Sequence, residues 1–142
     1  MKKPFFSLSE FLITKPKTID VGIADKLMNY HIIPMLPVRE ELDISMTASQ
    51  RSGYRPRWWE KKRGRSGNSQ HVFIGLGAVD WTCKNFKENK DKFLELILKH
   101  TDYSRIAIYD GFLHCDHRKT SNGKTAIYKS NSKSEWEFLR YD

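Results

Sequence analysis

"RIAIYDGFLHCDHR", residues 105–118, decides the class of fold. Two runs with β-branched and aromatic content flank Asp110-Gly111, a pair favoured in two-residue hairpin turns because it tolerates positive φ. Two antiparallel strands are predicted here. Along a strand alternate side chains share a face, so His114 and Asp116 point one way and Cys115 and His117 the other. One face of the second strand therefore carries an imidazole and a carboxylate.

Outward from this hairpin the pattern continues. "GAVDWTC" (77–83) has the content of a buried strand, "ISMTAS" (44–49) is a short β-like run, and "SNGK" (121–124) is a turn leading to "TAIYKS" (125–130). "EWEFLRY" (135–141) adds a last strand. From Asn85 to His100, Phe86, Phe93, Leu94 and Ile97 fall on one face of a helix. From Asp20 to Leu42, Ile23, Leu27, Tyr30, Ile33 and Leu36 recur at helical spacing, with Pro34 and Pro37 predicting a kink or two consecutive helices. "PRWWEKKRGR" (56–65) reads as a short helix or ordered loop, and "RSGNS" (65–69) as loop. Helices early and in the middle with strands late indicate an α+β fold with a small antiparallel sheet and helices on one side.

A chain of 142 residues, 39% hydrophobic, is long enough for one core and too short to suggest two, so residues 1–142 are predicted to form a single domain. No apolar run reaches the roughly 18 residues of a membrane helix. Nor does "MKKPFFSLSEFLITKPK" (1–17) show a signal peptide, which points to cytoplasmic synthesis. Two cysteines, Cys83 and Cys115, make no disulfide framework and read as buried thiols. A net charge of +8 favours polyanionic partners, nucleic acid and anionic cell-wall polymers alike.

"NSQHVFIGLGAVDW" (68–81) places His71 and Asp80 in an otherwise apolar, glycine-broken run. One reading makes the histidine a satisfied core residue and the aspartate a cap. The other brings Asp80 across from His114 on a neighbouring strand, with His71 entering from the preceding loop. Two imidazoles and a carboxylate, with one position left for water, are the ligand set of a catalytic zinc site.

The blocks "SGYRP" (52–56), "SQH…G…GAVDW" (69–81) and "GFLHCD" (111–116) resemble, in order and approximate spacing, the zinc peptidases that include D-alanyl-D-alanine carboxypeptidases, D,D-dipeptidases and phage L-alanyl-D-glutamate endopeptidases. The resemblance runs from about residue 20 to 118, leaving 119–142 as C-terminal strands, and implies the hedgehog/DD-peptidase fold. It implies that zinc is held by His71, Asp80 and His114, and that Arg55 binds substrate and steadies the carbonyl oxygen, with Tyr54 and Ser69 beside it. It further implies peptidoglycan peptides as substrate, a monomer, and a phage lysis enzyme or cell-wall enzyme. Two departures stand out. His71 and Asp80 are two residues further apart than the family's S-x-H-x-x-G-x-A-x-D pattern, so "VFIGLG" must loop, with Gly75 and Gly77 accepting the unusual backbone. The family's catalytic carboxylate falls on Gly111, leaving Asp110 or Asp116 as the general base. Asp110 also fits as a turn former, and Asp116 as an orienting partner of a ligand histidine. Without a base, a zinc-containing cell-wall binder remains.

Among the other residues, Cys115 lies on the face opposite His114 and reads as a small buried hydrophobe, while His31 and His100 read as structural or solvent-facing. The segment 56–65 also has the composition of a nucleic-acid surface, with Arg57, Lys61, Lys62, Arg63 and Arg65 for phosphates and Trp58 or Trp59 for bases. That is the alternative function.

Overall fold

The hairpin is the centre of a wider sheet. The computed structural model describes residues 6, 8–13, 20–49, 53–131, 133 and 135–142. Strands β1 (Met46–Ala48), β2 (Ala78–Cys83), β3 (Arg105–Ile108), β4 (Leu113–Asp116), β5 (Ala126–Ser130) and β6 (Trp136–Tyr141) pair in the order β1-β2-β4-β3-β5-β6. The fold is α+β, but the sheet is mixed rather than antiparallel, because β5 runs parallel to β3. β4 already lies between β2 and β3, so the chain leaving it must cross to the free edge of β3, and there it pairs parallel.

Alternation sorts the two faces. Val79, Trp81 and Cys83 of β2, Ile106 of β3, and Leu113 and Cys115 of β4 join one apolar core. Helices α1 (Val21–Leu27), α2 (Ile33–Leu42) and α4 (Phe86–His100) send Leu27, Met35, Val38, Phe93 and Ile97 into that core. Trp81, fully buried, packs against Phe6 and Phe11 at 5.3 Å ring separation and donates its indole N–H to the Tyr103 hydroxyl. The opposite face carries Asp80, Ala107, His114 and Asp116. α3 (Arg57–Lys62) is not on the helical side of the sheet; it stands beside this polar face, where its Glu60 meets Arg55.

The first long helix departs from its expected face. Leu27 is buried as expected, but Tyr30, Ile33 and Leu36 are exposed, and His31, Ile32, Met35 and Val38 are buried instead. The cause is a π-helical turn, Met28–Ile32, in which the Ile33 N–H reaches back to the Met28 carbonyl and rotates the following face. Pro34 has no N–H for the Tyr30 carbonyl and its ring would crowd that oxygen in a regular helix. The wider turn relieves the crowding, and His117 Nε2 serves the orphaned Tyr30 oxygen at 3.0 Å. His31 is fully buried, bonded to the Tyr103 hydroxyl at 2.7 Å and the Leu76 carbonyl at 2.9 Å, a structural role as expected. Burial pushes its pKa down to about 3, so it stays neutral. His100, at the end of α4, pairs with Glu41.

The hairpin turn also differs in detail. The Tyr109 N–H donates to the Phe112 carbonyl at 2.9 Å across Asp110-Gly111, yet neither residue of the pair adopts positive φ. The Tyr109 and Phe112 rings stack at 4.5 Å with 13° between planes. No helix among the described residues is long and apolar enough to cross a membrane.

Candidate metal centre

β2 and β4 pair so that Asp80 lies directly opposite His114. His71 arrives from the 3-10 turn Gln70–Val72, whose N-cap is Ser69: its hydroxyl accepts the His71 N–H at 3.2 Å. Between the turn and β2 the chain makes the loop that the long spacing demands. Phe73 (φ 62) and Gly77 (φ 87) take the left-handed conformations, whereas Gly75 does not. A Cβ on Gly77 would lie 2.4 Å from the Phe73 ring, so the two positions are coupled. Lys26 Nζ bonds the Phe73 carbonyl at 3.1 Å, and His31 bonds Leu76, tying the loop to the helical layer.

The result is a buried cluster able to hold a metal ion: His71, Asp80 and His114, none more than 7% exposed. His71 Nε2, Asp80 Oδ1 and His114 Nδ1 form a triangle with sides of 3.0, 3.2 and 3.3 Å. The far sides of both rings fix which nitrogen is bare. His71 Nδ1 faces the Gly53 carbonyl at 2.9 Å and must donate to it, and His114 Nε2 faces Asp116 Oδ2 at 2.8 Å and donates likewise. Two nitrogen lone pairs and a carboxylate oxygen therefore converge on one point, an arrangement that only a proton or a cation makes favourable.

The titration behaviour agrees. Burial holds the His71 imidazole below its ordinary pKa. Burial also opposes charge on His114, but the hydrogen bonds it donates to Asp116 and Asp80 outweigh it and raise its pKa to about 9. For Asp80, burial works against ionisation, yet the neighbouring His71 and His114 keep the carboxyl well below the usual range.

Gly53 and Arg55 hold His71 from the main chain as well, the Arg55 N–H meeting the His71 carbonyl at 2.8 Å. At Gly53 (φ 78) a Cβ would lie 2.3 Å from the Phe11 carbonyl oxygen, so glycine is required. Ser52, which opens the "SGYRP" block, lies outside the described residues.

The three donors lie in a cleft of about 340 Å³, lined as well by Arg55, Arg65, Tyr109, Phe112 and Trp136. Ser69 also lines it, but Tyr54 does not: its ring packs edge-on against Phe73 at 6.0 Å and its backbone N–H bonds Phe11. The expected substrate contact of Tyr54 is thus replaced by a place against the core. Arg55 does face the cleft. Its Nε lies 3.2 Å from Glu60, a fully buried carboxylate that also binds Arg65 at 2.8 Å. One carboxylate between two guanidiniums leaves a net positive wall.

Neither expected base stands at the centre. Asp110 is exposed at the hairpin tip and lines a separate cavity with Lys129 and Glu137. Asp116 is wholly buried, with Oδ1 accepting from Arg105 Nε and the Arg118 N–H, both at 2.9 Å, and Oδ2 accepting from Arg105 Nη2 at 2.6 Å and His114. Every acceptor site of Asp116 is used in orienting His114, so it has none left for a substrate or water. Burial opposes its charge, but His114 and Arg105 hold its pKa well below the usual range. Asp80 is the only carboxylate lining the cleft among the described residues.

Sequence reasoning missed Glu60, Arg105, Tyr109 and Trp136. Alternation along "RIAIY" puts Arg105, Ala107 and Tyr109 on the face of His114, a signal that was present. Trp136 had none: it reaches the cleft only because β5 and β6 extend the sheet, and there its ring lies 5.1 Å from His114 and 4.9 Å from the Arg105 guanidinium. Comparison of the chain with known protein families, curated proteins and solved structures finds no match.

Proposed function

We propose that the protein is a zinc-dependent peptidase that hydrolyses an amide bond in the peptide stems of peptidoglycan, of the D,D-carboxypeptidase or L-alanyl-D-glutamate endopeptidase kind. The observation that carries this reading is the convergence of three donor atoms, with both ring tautomers fixed from behind, on the floor of a cleft with a cationic wall. Tetrahedral zinc with bonds of roughly 2.0–2.1 Å sets its ligands about 3.3 Å apart, and the triangle fits. Two nitrogens and a carboxylate oxygen are also a donor set suited to zinc. Held by His71, Asp80 and His114, zinc would supply Lewis acidity there, enough to activate water near neutral pH and to polarise a substrate carbonyl.

The chain's own residues do the rest. Arg55 offers a forked, permanently charged donor to the substrate carbonyl or carboxylate, and Glu60 keeps it aimed. Asp116 and Arg105 lock the His114 ring, while Gly53 and Ser69 lock His71. Trp136 and Phe112 give the cleft an apolar side that packs on substrate and excludes water.

One observation favours a second reading, a metal-containing protein that binds cell wall without cutting it: no carboxylate other than Asp80 lines the cleft among the described residues. Incubating purified peptidoglycan with the zinc-loaded protein separates the two. New amino termini in the released fragments support the peptidase; intact peptidoglycan with zinc bound supports the silent binder. The nucleic-acid surface is weakened, because Arg63 stacks on Trp59 at 3.5 Å and Arg65 is committed to Glu60.

A further inference from the structure

The cleft lacks a free carboxylate, but it has a phenol. Tyr109 follows β3 on the face shared by Arg105 and Ala107, and it lines the cleft with the three metal-binding side chains. Its ring is fixed by stacking on Phe112, and its backbone by the hairpin bond to the Phe112 carbonyl. The hydroxyl oxygen accepts the indole N–H of Trp136 at 2.7 Å. Indole nitrogen is a donor only, so the tyrosine's own proton is not used in that bond and remains for another acceptor. Trp136 is itself held between the His114 ring and the Arg105 guanidinium, so the phenol is oriented by the same assembly that orients a metal ligand. Arg55 lines the same cleft, within electrostatic reach of Tyr109.

We propose that Tyr109 is a catalytic residue, its hydroxyl donating a hydrogen bond to the substrate oxygen that gains negative charge, alongside Arg55. The proposal rests on the hydrolytic reading of the cleft and deepens it. No bond to Tyr109 forms and its proton stays on the phenol; the phenol and the guanidinium grip the oxyanion together, a use in which fixed donors in a cleft shielded from water are worth most. Trp136 is a positioning residue for that donor.

The test uses a phosphinate pseudodipeptide, whose tetrahedral phosphorus oxygens mimic the charged oxygen, and measures its binding to the full chain by calorimetry with zinc loaded. Tyr109→Phe keeps the ring and removes the hydroxyl. Affinity is expected to fall about 10- to 100-fold, the range for a hydrogen bond to a charged group, with zinc content unchanged. Trp136→Phe leaves the hydroxyl but not its aiming donor and is expected to give a smaller loss. Equal affinity in wild type and Tyr109→Phe, or no binding of the phosphinate by wild type, overturns the proposal. Digestion of peptidoglycan is read in parallel: if the phosphinate depends on Tyr109 while peptidoglycan stays intact, the peptidase reading falls and the oxyanion role stands.

Discussion

Replacing Asp116 by Asn exchanges a single heavy atom, one carboxylate oxygen for an amide nitrogen, and separates the metal centre's support from the centre itself. Four N–H groups donate to the carboxylate: Arg105 Nε and the Arg118 N–H meet Oδ1, Arg105 Nη2 and His114 Nε2 meet Oδ2, and Arg105 Nε also reaches Oδ2 at 3.2 Å. An amide can present its oxygen to only one of those pairs. Whichever way it turns, its NH2 faces two donors. If that NH2 faces His114, the ring is pressed to keep its proton on Nδ1, the atom that points at Asp80 and His71. Loss of such a supporting partner costs roughly 10- to 100-fold in metal affinity. That is about 1.4–2.8 kcal/mol at 1.4 kcal/mol per decade. Stability falls too: breaking a buried ion pair costs about 3–5 kcal/mol, and because the Arg105 side chain keeps 17% exposure and can turn to water, about 2–3 kcal/mol is expected. The assay is zinc competition against a chelator of known affinity at pH 7.5, beside thermal unfolding of the metal-free protein. Wild-type zinc affinity in a folded Asp116→Asn variant would refute the claim that Asp116 sets the His114 tautomer.

Four further outcomes follow from the same geometry. Zinc must displace the proton that His114 holds with a pKa raised to about 9, so affinity is expected to rise about tenfold per pH unit through the neutral range and level off near pH 9; a flat titration between pH 6.5 and 8.5 contradicts this. In the metal-free protein the sign is reversed for stability. The His114 contribution is complete below its unfolded pKa of about 6.5 and is lost as pH rises through about 9, while that of Asp116, whose pKa is depressed, is present above about 4 and lost in acid, so thermal unfolding should peak between those limits. Gly77→Ala forces a side chain onto positive φ and into the Phe73 ring, and should cost about 1–3 kcal/mol by denaturant unfolding and weaken zinc binding through the shifted loop; an unchanged midpoint contradicts the loop assignment. Glu60→Gln removes the charge that holds two guanidiniums, and about 1–3 kcal/mol of stability should go with it, discounted because Arg65 is half exposed; no change means that the pair is not holding Arg55.

Much of the centre was legible because strand alternation is a strict rule. The register that faces Asp80 with His114 needed only two strands and their hydrophobic phase, and Cys115 fell on the core side for the same reason. The extra length between His71 and Asp80 predicted a loop correctly, though the left-handed residue beside Gly77 is Phe73, whose tolerance comes from packing that no local signal shows. What failed depended on long-range contacts. The π turn relieves the crowding at Pro34, and the Tyr30 carbonyl it leaves is met by His117, 87 residues away along the chain, which no local signal shows. The parallel pairing of β5 follows from which edge of the sheet was left free, a property of the assembled sheet. Of the two roles open to each carboxylate, the structure favours the supporting one: Asp110 sits at the exposed hairpin tip as a turn former, and Asp116 is spent on orienting His114 beside Arg105.

The proposed chemistry requires that His71, Asp80 and His114 share one cation. Elemental analysis of the purified chain after zinc loading and desalting, beside His114→Ala with its circular dichroism matched to wild type, reads this directly. The account predicts one zinc per chain in wild type and little in the variant. Equal zinc in both, or none in wild type, contradicts it.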